Sequence, residues 1–329
     1  MADIRVVMST VNYNEEQLVQ LREAFEPAEF IHLKREDEVG IEAALKRADV
    51  AVLASDLDEC FLHAPQLRWI HCDHAGLNKS AWPEVFESDL IVTSSAGRSG
   101  PALADHALFF ILALAFQYPA FVQAQQDHQW GVPEQGKLRG LYGQTVGIIG
   151  MGNIGKELAM RVKACGMRVH AYRRRASELP FGVDLLYSAN NGDCLDQLLQ
   201  ESDYVVLAVP LSDATHHLIG ERELGLMKPS AFLVNMARGA VVDEMALLNA
   251  LYEERLAGAG LDTFSQEPLP ADHPLWDAPR TLITPHFTPP VFDRTERSIE
   301  IIRDNVRCYR AGEPLRNLLS RDDMYSYSL

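Results

Sequence analysis

The chain has 329 residues, of which 47% are apolar and 23% charged, with a net charge of −16. These proportions are ordinary for globular domains, and the length suits two of them. The negative balance disfavours nucleic-acid backbones. The five cysteines (Cys60, Cys72, Cys165, Cys194 and Cys308) are scattered without a Cys-x-x-Cys pair, which suits free thiols in a reducing compartment.

The opening Met1-Ala2-Asp3-Ile4-Arg5 lacks a basic-then-apolar layout, so no signal peptide is expected. Over the first hundred residues, strand-like runs at 4–8, 30–33, 50–54, 69–72 and 90–93 alternate with helical spacings at 15–25 and 41–48. Such alternation predicts βα units around a parallel sheet. Ser99-Gly100-Pro101 marks a boundary. An apolar helix at about 102–118 follows, with too much apolar surface to be wet on any side; it reads as core or subunit interface. Its most apolar part, 107–116, is too short to span a bilayer, so no membrane association is expected.

A second αβ series starts at Thr145. Its strands are expected at 146–149, 167–172, 204–209, 232–235, 259–261 and 281–284, with a helix at 244–256 among the intervening segments. After Pro289-Pro290 comes an amphipathic helix at about 291–310. Ile299, Ile302 and Val306 share one of its faces, and Ala311-Gly312 ends it.

The first chemical motif is Gly150-Met151-Gly152-Asn153-Ile154-Gly155, between a strand-like run and a helix-like stretch. This context is what a dinucleotide needs. Gly150 permits the tight turn, Gly152 lets backbone approach a pyrophosphate, and Gly155 lets the helix pack on the strand. The helix N-terminus then offers N–H groups to the anion. The next strand ends at Arg173, Arg174 and Arg175, where an acidic residue would hold a ribose hydroxyl of NAD. Guanidinium groups bind a 2′-phosphate, so NADP(H) is favoured over NAD(H).

Three downstream patterns follow. Asn235-Met236-Ala237-Arg238-Gly239 delivers an arginine suited to clamp a carboxylate and keto oxygen. Asp262 and Glu267 lie in the run from Leu261 to Pro270, and Thr284-Pro285-His286 closes a strand. Histidine suits proton transfer near neutral pH, and a glutamate beside it would orient the ring and stabilise imidazolium.

With these motifs in this order, the chain resembles the D-isomer-specific 2-hydroxyacid dehydrogenase family, which includes glyoxylate/hydroxypyruvate reductases and phosphoglycerate dehydrogenases. The matching stretches are Gly150 to Gly155, Val209-Pro210-Leu211 with Thr215, Asn235 to Gly239, Gly260 to Pro270, and Thr284-Pro285-His286. The likeness itself covers nearly the whole chain and keeps the motif order. The resemblance implies an α/β fold of two doubly wound parallel-sheet domains. A Rossmann cofactor domain (101–289) would be inserted into a flavodoxin-like catalytic domain (1–100 with 290–329).

The resemblance also implies roles by position. Arg238 would bind substrate, His286 would be the acid/base, and Glu267 its partner. Gly150, Gly152, Asn153, Ile154, Gly155, Val209, Pro210, Thr215, Ala237 and Asp262 would line the cofactor, with Asp262 on the nicotinamide carboxamide. Backbone N–H groups of Ala75, Gly76 and Leu77 would receive the substrate carboxylate. The implied protein is a cytoplasmic homodimer, joined through the helix after the first hinge, that passes a hydride between NAD(P)H and carbon 2 of a small 2-keto or 2-hydroxy acid without a metal.

Phe287, followed by Thr288-Pro289-Pro290, departs from relatives with small residues there, and so bears on the substrate pocket. No regulatory extension is expected after the last helix, so serine-pathway phosphoglycerate enzymes are expected to be a poorer match. The full Arg238, Glu267 and His286 set argues against an NAD(H)-sensing corepressor, and Glu267 against a formate dehydrogenase. His71-Cys72-Asp73-His74 suggests a metal cluster only superficially, because adjacent strand residues point to opposite faces.

Overall fold

Asn14 starts the first helix by accepting the Gln17 N–H at 2.9 Å, while Gln17 Oε1 accepts the Asn14 N–H at 3.2 Å. This reciprocal cap satisfies two otherwise orphaned donors. The computed structural model describes residues 3–175 and 178–327. It divides into two units, Met1–Ser99 with Pro290–Leu329, and Gly100–Pro289.

The first unit runs β1 (Val6–Ser9), α1 (Glu15–Phe25), β2 (Glu29–His32), α2 (Glu38–Leu45), β3 (Val50–Leu53), α3 (Glu59–Leu62), β4 (Trp69–Cys72), α4 (Pro83–Glu87) and β5 (Ile91–Ser94). Its sheet is parallel, in the order β2-β1-β3-β4-β5. Alternate residues feed two cores. Val7, Val50, Val52 and Trp69 pack with Leu21 and Phe25 of α1. Met8, Ala51, Leu53 and Ile70 pack with Ala44 and Leu45 of α2. A parallel sheet covered on both faces explains why its strands read as continuous apolar runs.

Within His71-Cys72-Asp73-His74, His71 and Asp73 join a hydrogen-bond network. His71 is fully buried, with Nδ1 2.9 Å from Thr93 Oγ1 and Nε2 2.9 Å from Ser95 Oγ. Ser95 donates to Asp73 at 2.9 Å, and Arg98 pairs with Asp73 at 2.7 Å.

The second unit runs α5 (Gly100–Ala115), α6 (Tyr118–Gln126), β6 (Thr145–Ile149), α7 (Asn153–Ala164), β7 (Arg168–Arg173), β8 (Leu185–Ser188), α8 (Asp196–Glu201), β9 (Tyr204–Leu207), α9 (Glu221–Leu226), β10 (Phe232–Asn235), α10 (Glu244–Tyr252), β11 (Gly258–Leu261) and β12 (Thr281–Ile283). α11 (Arg294–Ala311) then returns to the first unit, where its Ile302 and Val306 join the α1 core. The second sheet is parallel, in the order β12-β11-β10-β9-β6-β7-β8. From β6 the chain builds outward through β7 and β8, then crosses back to β9. The strand order therefore reverses between β6 and β9, and ligands of such sheets bind outside the carboxyl ends at that point.

Two features differ from the sequence-based expectation. The apolar helix stops at Ala115, because Gln117 takes a left-handed conformation (φ 48°) and α6 sets off at a 64° bend. The helix leaves Phe109, Leu112 and, just past its end, Phe116 at 49%, 37% and 45% exposed in the single chain. Its opposite side is core, where Phe110 presses so closely on Gly260 that a Cβ there would lie 2.7 Å from the ring. β8 was not expected from the sequence; Leu185 and Leu186 are only partly covered at the sheet edge. Among the described residues, no single helix is long and apolar enough to cross a membrane.

Candidate active site

The glycine motif joins β6 to α7. Gly150 has φ 107°, and a Cβ on it would meet the Ala208 carbonyl oxygen at 2.4 Å. A Cβ on Gly155 would sit 2.0 Å from the Gly150 carbonyl oxygen. Both positions exclude any larger residue. At Gly152 the Cβ direction opens on empty space, so the backbone is approachable from outside. Asn153, Ile154 and Gly155 form the first turn of α7, whose N–H groups lack partners within the helix. A pyrophosphate fits this cradle.

Across the switch point, Thr215 shapes the loop after β9. Its hydroxyl donates to the Pro210 carbonyl at 2.7 Å and accepts the Ser212 N–H at 2.8 Å, which orders the Val209-Pro210-Leu211 segment. Arg173 is the last residue of β7. The Arg174 carbonyl accepts the Asn190 N–H at 3.0 Å, and the Arg174 and Arg175 side chains are exposed.

Asn235 ends β10 and folds the next turn. Its Oδ1 accepts the Ala237 N–H and its Nδ2 donates to the Arg238 carbonyl, both at 3.0 Å. Arg238 is half-buried in extended backbone, and its Nη1 donates to the Ala237 carbonyl at 2.7 Å. Gly239 lies against the neighbouring loop: a Cβ there would come within 1.8 Å of the Phe264 carbonyl carbon. Only glycine lets the arginine turn pack on the loop that carries Glu267.

Glu267 is held at both oxygens. Oε1 accepts the Phe264 N–H at 2.9 Å, and Oε2 lies 2.7 Å from His286 Nδ1. His286 follows β12 in a left-handed backbone conformation (φ 49°), which is uncommon for a residue with a side chain. Asp262 is buried beside it. Its Oδ1 accepts the Phe287 N–H at 2.9 Å and the Thr284 hydroxyl at 2.6 Å. Burial pushes the Asp262 carboxyl above its ordinary range, and those two hydrogen bonds oppose the shift. The strand-end loops after β10, β11 and β12 thus bring Arg238, Glu267, Asp262 and His286 into one connected structure.

His106, Thr284 and Glu244 also belong to this structure, although the motifs did not single them out as site residues. His106 Nε2 is 3.1 Å from Thr284 Oγ1, and Glu244 Oε1 accepts the Ser265 N–H at 2.7 Å. The available signal for His106 was a polar residue entering an apolar helix. Ala75, Gly76 and Leu77 lie in the first unit, after β4, in a loop of exposed and half-buried residues.

Residues 108–288 match the model of the D-isomer specific 2-hydroxyacid dehydrogenase NAD binding domain. The chain is 35% identical over 280 residues to a glyoxylate reductase of Korarchaeum cryptofilum, covering 83% of this chain and 82% of that one. It is 34% identical over 267 residues to glyoxylate/hydroxypyruvate reductase B of Pectobacterium carotovorum, covering 80% and 82%. A D-isomer specific 2-hydroxyacid dehydrogenase of Xanthobacter autotrophicus, solved with NADPH and MES, superposes with a TM-score of 0.81 at 27% identity, covering 97% of this chain and 99% of that one. The fold and the site define an oxidoreductase of CH–OH donors with a dinucleotide-binding unit. The chain belongs to the D-isomer specific 2-hydroxyacid dehydrogenase family.

Proposed function

We propose that the protein reduces a small 2-keto acid, of the glyoxylate or hydroxypyruvate kind, to the D-2-hydroxy acid. The observation that carries this reading is the 2.7 Å contact between Glu267 Oε2 and His286 Nδ1 on adjoining strand-end loops of the unit that matches the cofactor-binding model. With Nδ1–H held by the carboxylate, Nε2 is the ring nitrogen left to give a proton to the keto oxygen. Glu267 stabilises the imidazolium that this requires and fixes the ring plane. Arg238 pairs with the substrate and offsets negative charge developing on its oxygen. When bound, the nicotinamide cofactor supplies the hydride for carbon 2.

The cradle of Gly150, Gly152, Asn153, Ile154 and Gly155 would hold the pyrophosphate, and Val209, Pro210, Thr215 and Ala237 would line the same cofactor. Asp262 would accept the carboxamide N–H. NADP(H) is favoured over NAD(H), because β7 ends in Arg173 followed by Arg174 and Arg175, at the strand end where a carboxylate would repel a 2′-phosphate. The backbone of Ala75, Gly76 and Leu77 is proposed to receive the substrate carboxylate, on the strength of the family likeness. The protein is proposed to be a homodimer joined through the exposed apolar face of α5.

Substrate choice is tested by following NADPH oxidation with glyoxylate, hydroxypyruvate, pyruvate, phenylpyruvate and branched 2-keto acids. The expected result is highest kcat/KM for glyoxylate or hydroxypyruvate, with the D isomer formed from hydroxypyruvate. Absence of turnover across the panel, or formation of the L isomer, overturns the proposal.

A further inference from the structure

His106 lies in α5, is 7% exposed, and stacks on Phe110 with ring centroids 4.8 Å apart. Both of its ring nitrogens face hydrogen-bonding atoms. Nδ1 is 3.2 Å from the Phe287 carbonyl oxygen, and Nε2 is 3.1 Å from Thr284 Oγ1. Thr284 Oγ1 in turn is 2.6 Å from Asp262 Oδ1, which also accepts the Phe287 N–H. The chain of contacts therefore leaves Phe287 by its carbonyl and returns to the same residue by its N–H.

Counting hydrogens constrains this ring. A carbonyl oxygen only accepts, so the Nδ1 link is a hydrogen bond only when His106 Nδ1 carries a proton. Two links remain, Nε2 to Oγ1 and Oγ1 to Oδ1, and the threonine hydroxyl has one hydrogen to give. With neutral His106 and ionised Asp262, one link would set two lone pairs against each other at 3.1 Å or less. The missing hydrogen is on Nε2, giving an imidazolium–carboxylate pair, or on Oδ1, giving a neutral pair. With all three links made as hydrogen bonds, the group holds one proton beyond neutral imidazole plus carboxylate.

We infer that His106 is a positioning residue, which shares this extra proton with Asp262 and so fixes the Asp262 carboxyl group and the peptide that follows His286. Asp262 faces it, and His286 with its partner Glu267 lies beyond Asp262. Asp105, next to it in α5, is exposed and turned to Arg161 at 2.5 Å. The catalytic consequence rests on the proposed function: Asp262 can hold a carboxamide only if its unused oxygen keeps its direction.

The proton count is measurable on the free wild-type enzyme at pH 7. Nitrogen NMR of His106 and carbon NMR of the Asp262 carboxyl are expected to show either two ring N–H groups beside a carboxylate, or one beside a protonated carboxyl. One ring N–H beside an ionised Asp262 overturns the inference and leaves the hydride-transfer reading intact. His106→Phe, which keeps the stack on Phe110, is expected to raise the cofactor KM about tenfold, with a smaller change in kcat. His106→Asn, which keeps one donor, is expected to recover part of that loss. A cofactor KM within twofold of wild type in His106→Phe overturns the positioning role. A wild-type enzyme inactive on every keto acid sinks the functional reading without touching the proton count.

Discussion

Glu267 Oε2 and His286 Nδ1 meet at 2.7 Å across a sequence separation of 19 residues. The glutamate is anchored on its other oxygen by the Phe264 N–H, so it cannot follow the ring if the ring turns. Glu267→Gln keeps the size and can still meet Nδ1, but it removes the carboxylate charge from beside the ring. We expect kcat for keto acid reduction to fall about 10²-fold, with cofactor affinity unchanged. Steady-state kinetics beside a cofactor titration checks this, and a kcat within threefold of wild type sinks the role given to Glu267.

The arginines after β7 make a separate prediction about the cofactor. Wild-type kcat/KM is expected to be higher with NADPH than with NADH. Replacing Arg173 and Arg174 by serine removes the proposed charged partners of a 2′-phosphate, each worth about 1.5–3 kcal/mol when properly bonded. Efficiency with NADPH should drop at least tenfold while that with NADH stays level. Equal or better wild-type efficiency with NADH would refute the preference.

The exposed face of α5 concerns assembly. Phe109, Leu112 and Phe116 follow helical spacing, and each is more than a third exposed in the single chain. An exposed apolar stripe of this kind marks an interface. Analytical ultracentrifugation is expected to show a dimer for wild type and a monomer for the Leu112→Asp, Phe116→Asp double variant. A wild-type monomer at micromolar concentration, or a double variant that stays dimeric, contradicts the proposed interface.

Buried His71 predicts a pH dependence of stability in the first unit. Burial lowers its pKa from 6.5 to about 4. Below pH 6.5 the unfolded chain gains a proton that the folded chain refuses until near pH 4. The stability from neutral His71 is therefore complete above pH 6.5 and lost as pH falls toward 4, by up to about 1.4 kcal/mol per pH unit. In denaturant titrations, the stability gap between wild type and His71→Gln should narrow over that interval. A constant gap would show that His71 does not carry this linkage.

The periodicity of the chain made most of the fold legible. The 15–25 helix and the 69–72 and 232–235 strands were expected at the residues where they occur. Alternate residues of β3 feed opposite cores, so a two-sided parallel sheet announces itself as a continuous apolar run. β8 escaped notice because an edge strand with half-covered Leu185 and Leu186 lacks that signal. The break at Gln117 escaped as well, since left-handed backbone at a residue other than glycine leaves no compositional mark.

The site divides the same way. Glycine spacing marked the tight turn between β6 and α7, where Gly150 and Gly155 leave no room for a Cβ. The contact between Glu267 and His286 could not be read from spacing, because it depends on loops after different strands. Nor could the ring of contacts through His106, whose members at positions 106, 262, 284 and 287 are joined only by tertiary structure.

The central claim is that His286 delivers the proton during reduction of a 2-keto acid. Its most direct test is glyoxylate reduction by His286→Asn, with the cofactor Kd measured on the same preparation. The account predicts a kcat lowered about 10³-fold and a Kd within twofold of wild type. A kcat within tenfold of wild type would contradict it.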